Sequence, residues 1–234
     1  MMRVCYCSKI VPGKAATIRS HWANKPKAKD VQKEAFWNAI GMTGFDCWLQ
    51  NTSQGNFLIH CVEGASKEGI FKGLREQMQM HNPVALHLRA FYQEVLGKDY
   101  SLPDSEPNIE CLLDVTALPT PENFIKKSFV YPLLPDKEAE HRKSRRLAMG
   151  EKKSRHIASL QAFDVYRLTS WLQTTAHGKF IVIYTERKNF NGTQEERLKR
   201  GLNSSAWQEI SAELMDQTGL SLHDLSPDVE WLSC

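Results

Sequence analysis

Two ten-residue stretches of the chain are nearly the same. WLQNTSQGNF occupies 48–57 and WLQTTAHGKF occupies 171–180, 123 positions apart. Internal repetition constrains a fold more than composition does, because a repeated sequence implies a repeated supersecondary unit. At this offset residues 48–63 match 171–186 at seven of sixteen positions, from Trp48/Trp171 to Glu63/Glu186. The match extends outward with small gaps. EPNIECLL (106–113) echoes SPDVEWLS (226–233) through Pro107/Pro227, Glu110/Glu230 and Leu112/Leu232, and Tyr6 in VCYCSKI faces Tyr131 in FVYPLLP. The sequence therefore divides into a unit at 1–118, a linker at 119–127 containing Pro residues of TALPTPEN, and a unit at 128–234.

Each unit carries the same order of signals. A short apolar strand at 4–10 or 128–134 precedes a long polar, helix-like stretch at 14–41 or 136–165. Two strands around a tight turn follow, 44–52 with 56–63 or 167–175 with 179–186. A second helical region comes next. In the first unit it breaks at Asn82-Pro83, because proline lacks an N–H donor and restricts its predecessor, and it stops near Gly97. Its counterpart stops at Gly219, and final strands at 108–115 and 227–233 close the units.

The expected fold is α+β: two tandem ferredoxin-like βαββαβ units, each with two helical regions on one face of a four-stranded sheet. The bare faces need cover, and packing the sheets together about a pseudo-twofold axis supplies it. In this arrangement the chain resembles the dimeric α/β-barrel superfamily, which includes antibiotic-biosynthesis monooxygenase-like proteins. The resemblance lies in topology over the whole chain. It implies a pseudo-dimeric α/β barrel with a sheet-lined cavity, and it carries over no catalytic residue.

The hairpin turn decides which side chains reach such a cavity. T-SQG-N and T-AHG-K both allow a three-residue loop with glycine third, a position that requires positive φ. In that register Trp48 lies opposite His60 and Gln50 opposite Leu58. Alternation then gives a nearly apolar face, with Cys47, Leu49, Phe57 and Ile59, suited to the helices. The other face is mixed, with Asp46, Trp48, Gln50, His60 and, in the second unit, Trp171 and Gln173. A two-residue turn is the alternative, and it would put Trp48 and Phe57 on one face.

On the preferred register the candidate catalytic residue is His60, whose neutral ring can accept a proton near pH 7. Ile183 replaces it in the second unit. Tyr6, Asp46, Trp48, Gln50, His87, Trp171 and Gln173 are the candidate ligand-binding residues: indoles for apolar surface, amides to orient a carbonyl or hydroxyl. Each has a structural alternative. The Trp/Gln pairs, present in both units, equally suit a sheet interface, and His60 equally suits a core. Glu63 and Glu186 end matched strands and are expected to form local pairs or mark helix entry, with a buried catalytic carboxylate as the alternative. Neither Cys5-x-Cys7 nor the six-residue spacing of His81 and His87 fits a metal site, so no metal is expected.

The chain has 234 residues and a net charge of only +3, which excludes strong global basicity. A local basic run, HRKSRRLAMGEKKSRH at 141–156, holds seven Lys/Arg on the first helical stretch of the second unit; a weaker one occupies 24–33. The stronger run could contact a polyanion, but it lacks the interleaved aromatics that stack on bases and also reads as a solvated helix face. Nucleic acid is disfavoured as a partner. No apolar run spans a bilayer and no secretory signal is recognisable, so a cytoplasmic protein with buried free thiols, monomeric or weakly dimeric, is expected. Gly-rich phosphate loops, G-x-S-x-G and H-E-x-x-H are absent from the sequence, and no cofactor is expected.

Two functions remain open on sequence alone. One is binding of a small hydrophobic or aromatic metabolite in a cavity of the first unit, with cofactor-independent oxygenation or isomerisation through His60. The other is a non-catalytic interaction protein that docks nucleic acid or an acidic partner on its basic helix.

Overall fold

The computed structural model describes residues 2–24, 31–52, 54–189, 203–221 and 229–232, together with Glu196 and Lys199. Residues 25–30 of the weaker basic run lie outside the described residues. The first repeat forms β1 (Met2–Lys9), α1 (Ala15–Ala23), α2 (Val31–Ile40), β2 (Met42–Thr52), β3 (Gly55–Gly64), α3 (Lys67–Gln79), α4 (Pro83–Leu96) and β4 (Asn108–Thr116). The second forms β5 (Ile125–Leu133), α5 (Glu138–Met149), α6 (Lys153–Ala162), β6 (Val165–Thr175), β7 (Gly178–Arg187), α7 (Ser205–Thr218) and β8 (Val229–Leu232).

The breaks follow local chemistry. Asn82 caps α4 by accepting from the Ala85 N–H at 2.9 Å, with Pro83 in the first turn, where its missing N–H costs nothing. Gly97 ends the same helix in the left-handed conformation at φ 64°, as Gly219 ends α7 at φ 68°. The basic stretch at 141–156 is two helices rather than one, because Gly150 terminates α5 and α6 begins three residues later.

The protein is mixed α+β with two four-stranded antiparallel sheets, in the orders β1-β3-β2-β8 and β4-β6-β7-β5. Within them β1-β3-β2 and β5-β7-β6 come from the first and second halves of the chain respectively. The fourth strand differs from expectation. β4, from the first repeat, pairs with β6, and β8, from the second, pairs with β2. The compact units are consequently 1–107 with 229–234, and 108–228, and they do not coincide with the sequence repeats. Alternation identifies a strand, but not which of two homologous edges it joins.

The hairpins have two-residue loops, correcting the preferred register. Thr52 pairs with Gly55 and Thr175 with Gly178. Both glycines do have positive φ, 117° and 116°, but they open the second strand instead of completing the loop. Trp48 therefore lies opposite Ile59, and Cys47 opposite His60; Gln50 lies opposite Phe57.

The thiol expectation also needs correction. Cys5 and Cys61 stand directly opposite on β1 and β3 with Cα atoms 4.1 Å apart, and they are joined as a disulfide. Cys7 and Cys47 are buried and Cys111 is exposed, all three outside any disulfide among the described residues. No described helix is long and apolar enough to cross a membrane.

Because β8 completes the first sheet from the far end of the chain, a protein ending at Asp228 should be destabilised. The truncation removes the buried Leu232 side chain and leaves the β2 edge without its β8 partner. The expected loss is on the order of 2–4 kcal/mol, read as a lower urea midpoint. An unchanged midpoint would show that β8 contributes nothing to the unit.

Candidate functional site

The true register separates the residues grouped on sequence. Tyr6, Cys47 and His60 share one face of the first sheet, while Asp46, Trp48 and Gln50 share the other. The His60 face is the helix face: Tyr6 packs edge-on against Phe71 of α3, and His60 against Tyr92 of α4. Trp48 and Gln50 are buried on the opposite face. In the second unit Trp171 and Gln173 lie opposite Val182 and Phe180, and are likewise buried. His87 is exposed on α4 and stacks on His21, with ring centroids 5.4 Å apart.

His60 is only 1% exposed. Its ring sits among Tyr6, Phe45 and Tyr92, at 5.1, 5.8 and 5.9 Å, and neither ring nitrogen has a hydrogen-bond partner among the described residues. Burial first, and the nearby Lys98 charge second, push its pKa down to about 3. It is a neutral core group. The void lined by Tyr6, Phe45 and Tyr92 holds about 10 Å³, enough for at most one water.

A larger cavity lies in the second unit, on the helix side of its sheet. It measures about 130 Å³. Phe129 and Tyr131 of β5, Leu168 of β6, and Ile183 and Thr185 of β7 form its floor. These residues share one sheet face, because Phe129 pairs with Ile183, Tyr131 with Ile181, and Leu168 with Thr185. Leu160, Phe163, Ile210 and Leu214 form the apolar roof, where Phe163 and Trp207 pack with ring centroids 4.6 Å apart. The lining is predominantly apolar, as small-molecule sites usually are.

Several polar groups interrupt it. His156 on α6 is buried, and its Nε2 has no partner among the described residues. Burial, then the Arg145 charge, lower its pKa to about 4, so the ring is neutral at pH 7. The Trp207 Nε1–H and the Arg145 Nε–H are also buried without described partners. Arg145 is held at its far end, where Nη2 donates to Glu213 at 2.8 Å. The Arg187 guanidinium lies 6.0 Å above the Phe129 ring. An unmet donor in a buried site costs more than a bonded one, so a ligand acceptor placed here would be favoured.

The sequence reading assigned none of these residues to a site. In the sequence Arg145 and His156 belong only to the basic run, in which Arg142, Arg145, Lys152 and Arg155 prove to be ion-paired with Glu110, Glu138, Glu209 or Glu213. The inward spacing of His141, Arg145 and Ala148 was the available signal. The carboxylates read as local pairs are so: Glu63 accepts from Arg3 Nε at 2.8 Å, and Glu186 from Thr120 Oγ1 at 2.8 Å. No group of three or more His, Cys, Asp or Glu among the described residues is arranged to hold a metal.

No family model matches the chain, and no curated protein matches it. Two solved structures are similar. One is a candidate monooxygenase from Fusobacterium nucleatum, 9% identical, covering 98% of this chain and 88% of its own, with a TM-score of 0.45. The other is an anthrone oxidase-like protein, 9% identical, covering 98% and 89%, with a TM-score of 0.48. At these levels neither transfers a residue or an activity to this chain.

The buried histidines generate a pH dependence. His60, His141 and His156 have folded pKa values of about 3, 4 and 4, below the ordinary 6.5. The unfolded chain binds their protons at a pH where the folded one does not. Their contribution is therefore complete above pH 6.5 and is lost as pH falls, by about 1.4 kcal/mol per pH unit per histidine. Urea midpoints should drop between pH 6.5 and 4. His60→Leu should flatten that slope without loss of stability at pH 7. An unaltered slope in this variant would show that His60 is not buried as a neutral ring.

Proposed function

We propose that this chain binds a small, largely apolar molecule in the cavity of its second unit. The observation that carries the reading is the combination of apolar walls with unmet polar atoms on His156 and Trp207. A volume of 130 Å³ suits a single six-membered ring, since cavities of ~150 Å³ accept benzene. An oxygen acceptor on that ring would take the Trp207 Nε1–H, and His156 can donate or accept according to its tautomer.

This reading keeps the class of ligand expected from the sequence and moves its site. Two ferredoxin-like units packed sheet to sheet remain part of the proposal, with the ligand on the helix side of the second sheet. Cofactor-independent oxygenation or isomerisation would need a base beside the ligand. His156 is the lining group able to take a proton, and its low pKa restricts it to ligands with an acidic O–H or C–H. Binding is thus the primary function in this reading, and proton abstraction by His156 is the form catalysis would take. The ion pairing of the basic helices weakens the alternative of a polyanion-docking surface.

The test is ligand-observed NMR with one-ring probes such as benzyl alcohol and toluene. Leu168→Phe, which fills the cavity floor, should abolish the signal while the thermal midpoint moves by only about 1 kcal/mol or less in equivalent stability. Binding that persists unchanged in this variant would place the ligand elsewhere.

A further inference from the structure

A second, smaller pocket of about 40 Å³ opens where α5, α6 and α7 meet. It shares Arg145, His156 and Ile210 with the apolar cavity, so these three side chains stand between the two spaces. Apart from Ala148, its remaining wall is polar: Ser144, Lys152, Arg155, Glu209 and Glu213. One space is thus built for a ring, and the adjoining one for a charged group.

The charges decide which sign fits. Arg145, Lys152 and Arg155 supply three positive charges, against two negative charges on Glu209 and Glu213. His156 adds none at neutral pH. The carboxylates are already engaged. Glu209 pairs with Lys152 at 2.9 Å and Arg155 at 2.5 Å, while Glu213 accepts from Arg145 at 2.8 Å. One net positive charge remains, and the buried Arg145 Nε–H has no described acceptor. Lys152 and Arg155 are about half exposed, so they can turn toward an entering anion at little cost.

We propose that the ligand of this protein is an anionic ring compound, a carboxylic acid whose ring fills the apolar cavity and whose carboxylate reaches past Arg145 and His156 into the three-helix pocket. This rests on the binding reading above and names the chemical class. A carboxylate there would accept from the Arg145 Nε–H and lie within the field of Lys152 and Arg155, and charge-assisted bonds of this kind exceed neutral ones.

Calorimetric titration of the full chain with 3-phenylpropionate and with its neutral counterpart 3-phenylpropanol tests this. The acid should bind about tenfold more tightly, the increment of one hydrogen bond to a charged group. The preference should shrink as salt is raised. In the surface double variant Lys152→Gln/Arg155→Gln, which keeps the Arg145 bond, the preference should shrink and lose most of its salt dependence, with binding of the alcohol retained. Equal or tighter binding of the alcohol, or an acid preference unaltered in the double variant, would overturn the anionic assignment and leave the apolar cavity standing. Binding of neither compound would overturn the cavity reading as well.

Discussion

The two-residue turns joining Thr52 to Gly55 and Thr175 to Gly178 set which side chains meet across each sheet. Side chains alternate with period two, so one residue more in either loop would invert a whole strand relative to its partner. With the turns as they are, His60 and Tyr6 pack beneath α3 and α4, and Trp48 and Gln50 turn to the other side. The same register in the second unit sends Ile183 and Thr185 toward the helices beside Phe129, which forms the cavity floor. Both helix-side environments descend from this single constraint.

The two helix layers differ in how they fill that side. In the first unit aromatic rings close the space: Phe45, Tyr92 and Tyr100 pack around Tyr6 and His60, leaving a void about the size of a water. In the second, Ser159 and Ala148 stand on the inward helix faces, and Ile183 occupies the position of His60. A cavity of about 130 Å³ remains on this side. Arg145 and His156 remain buried at its border because Arg145 is tied to Glu213 and His156 is neutral.

Closing strands exchanged between the repeats add a nonlocal element. β8 reaches β2 across most of the chain length, and Arg19 pairs with Glu230 at 2.6 Å in the same unit. Contacts of this sequence separation form late and slowly, because the intervening chain must first be ordered. Each unit therefore depends on a segment encoded in the other repeat. The Cys5–Cys61 disulfide is local by comparison, since the β1–β3 register alone brings the two residues opposite one another.

The sequence alone determined the internal sequence match, the order of strands and helical regions, the positive φ at Gly55 and Gly178, and the helix stops at Gly97 and Gly219. These are written in local chemistry: alternation, capping residues, and backbone angles that only glycine adopts without strain. Tertiary structure decided the loop length, the face on which His60 lies, the sheet that β4 and β8 join, and the place of the cavity. Those outcomes depend on free-energy differences between alternatives with the same local pattern. A glycine can end a loop or begin a strand, and an edge can accept either of two similar strands. A basic helix can hide Arg145 and His156 on its inward face, because their burial is settled only by what packs against them.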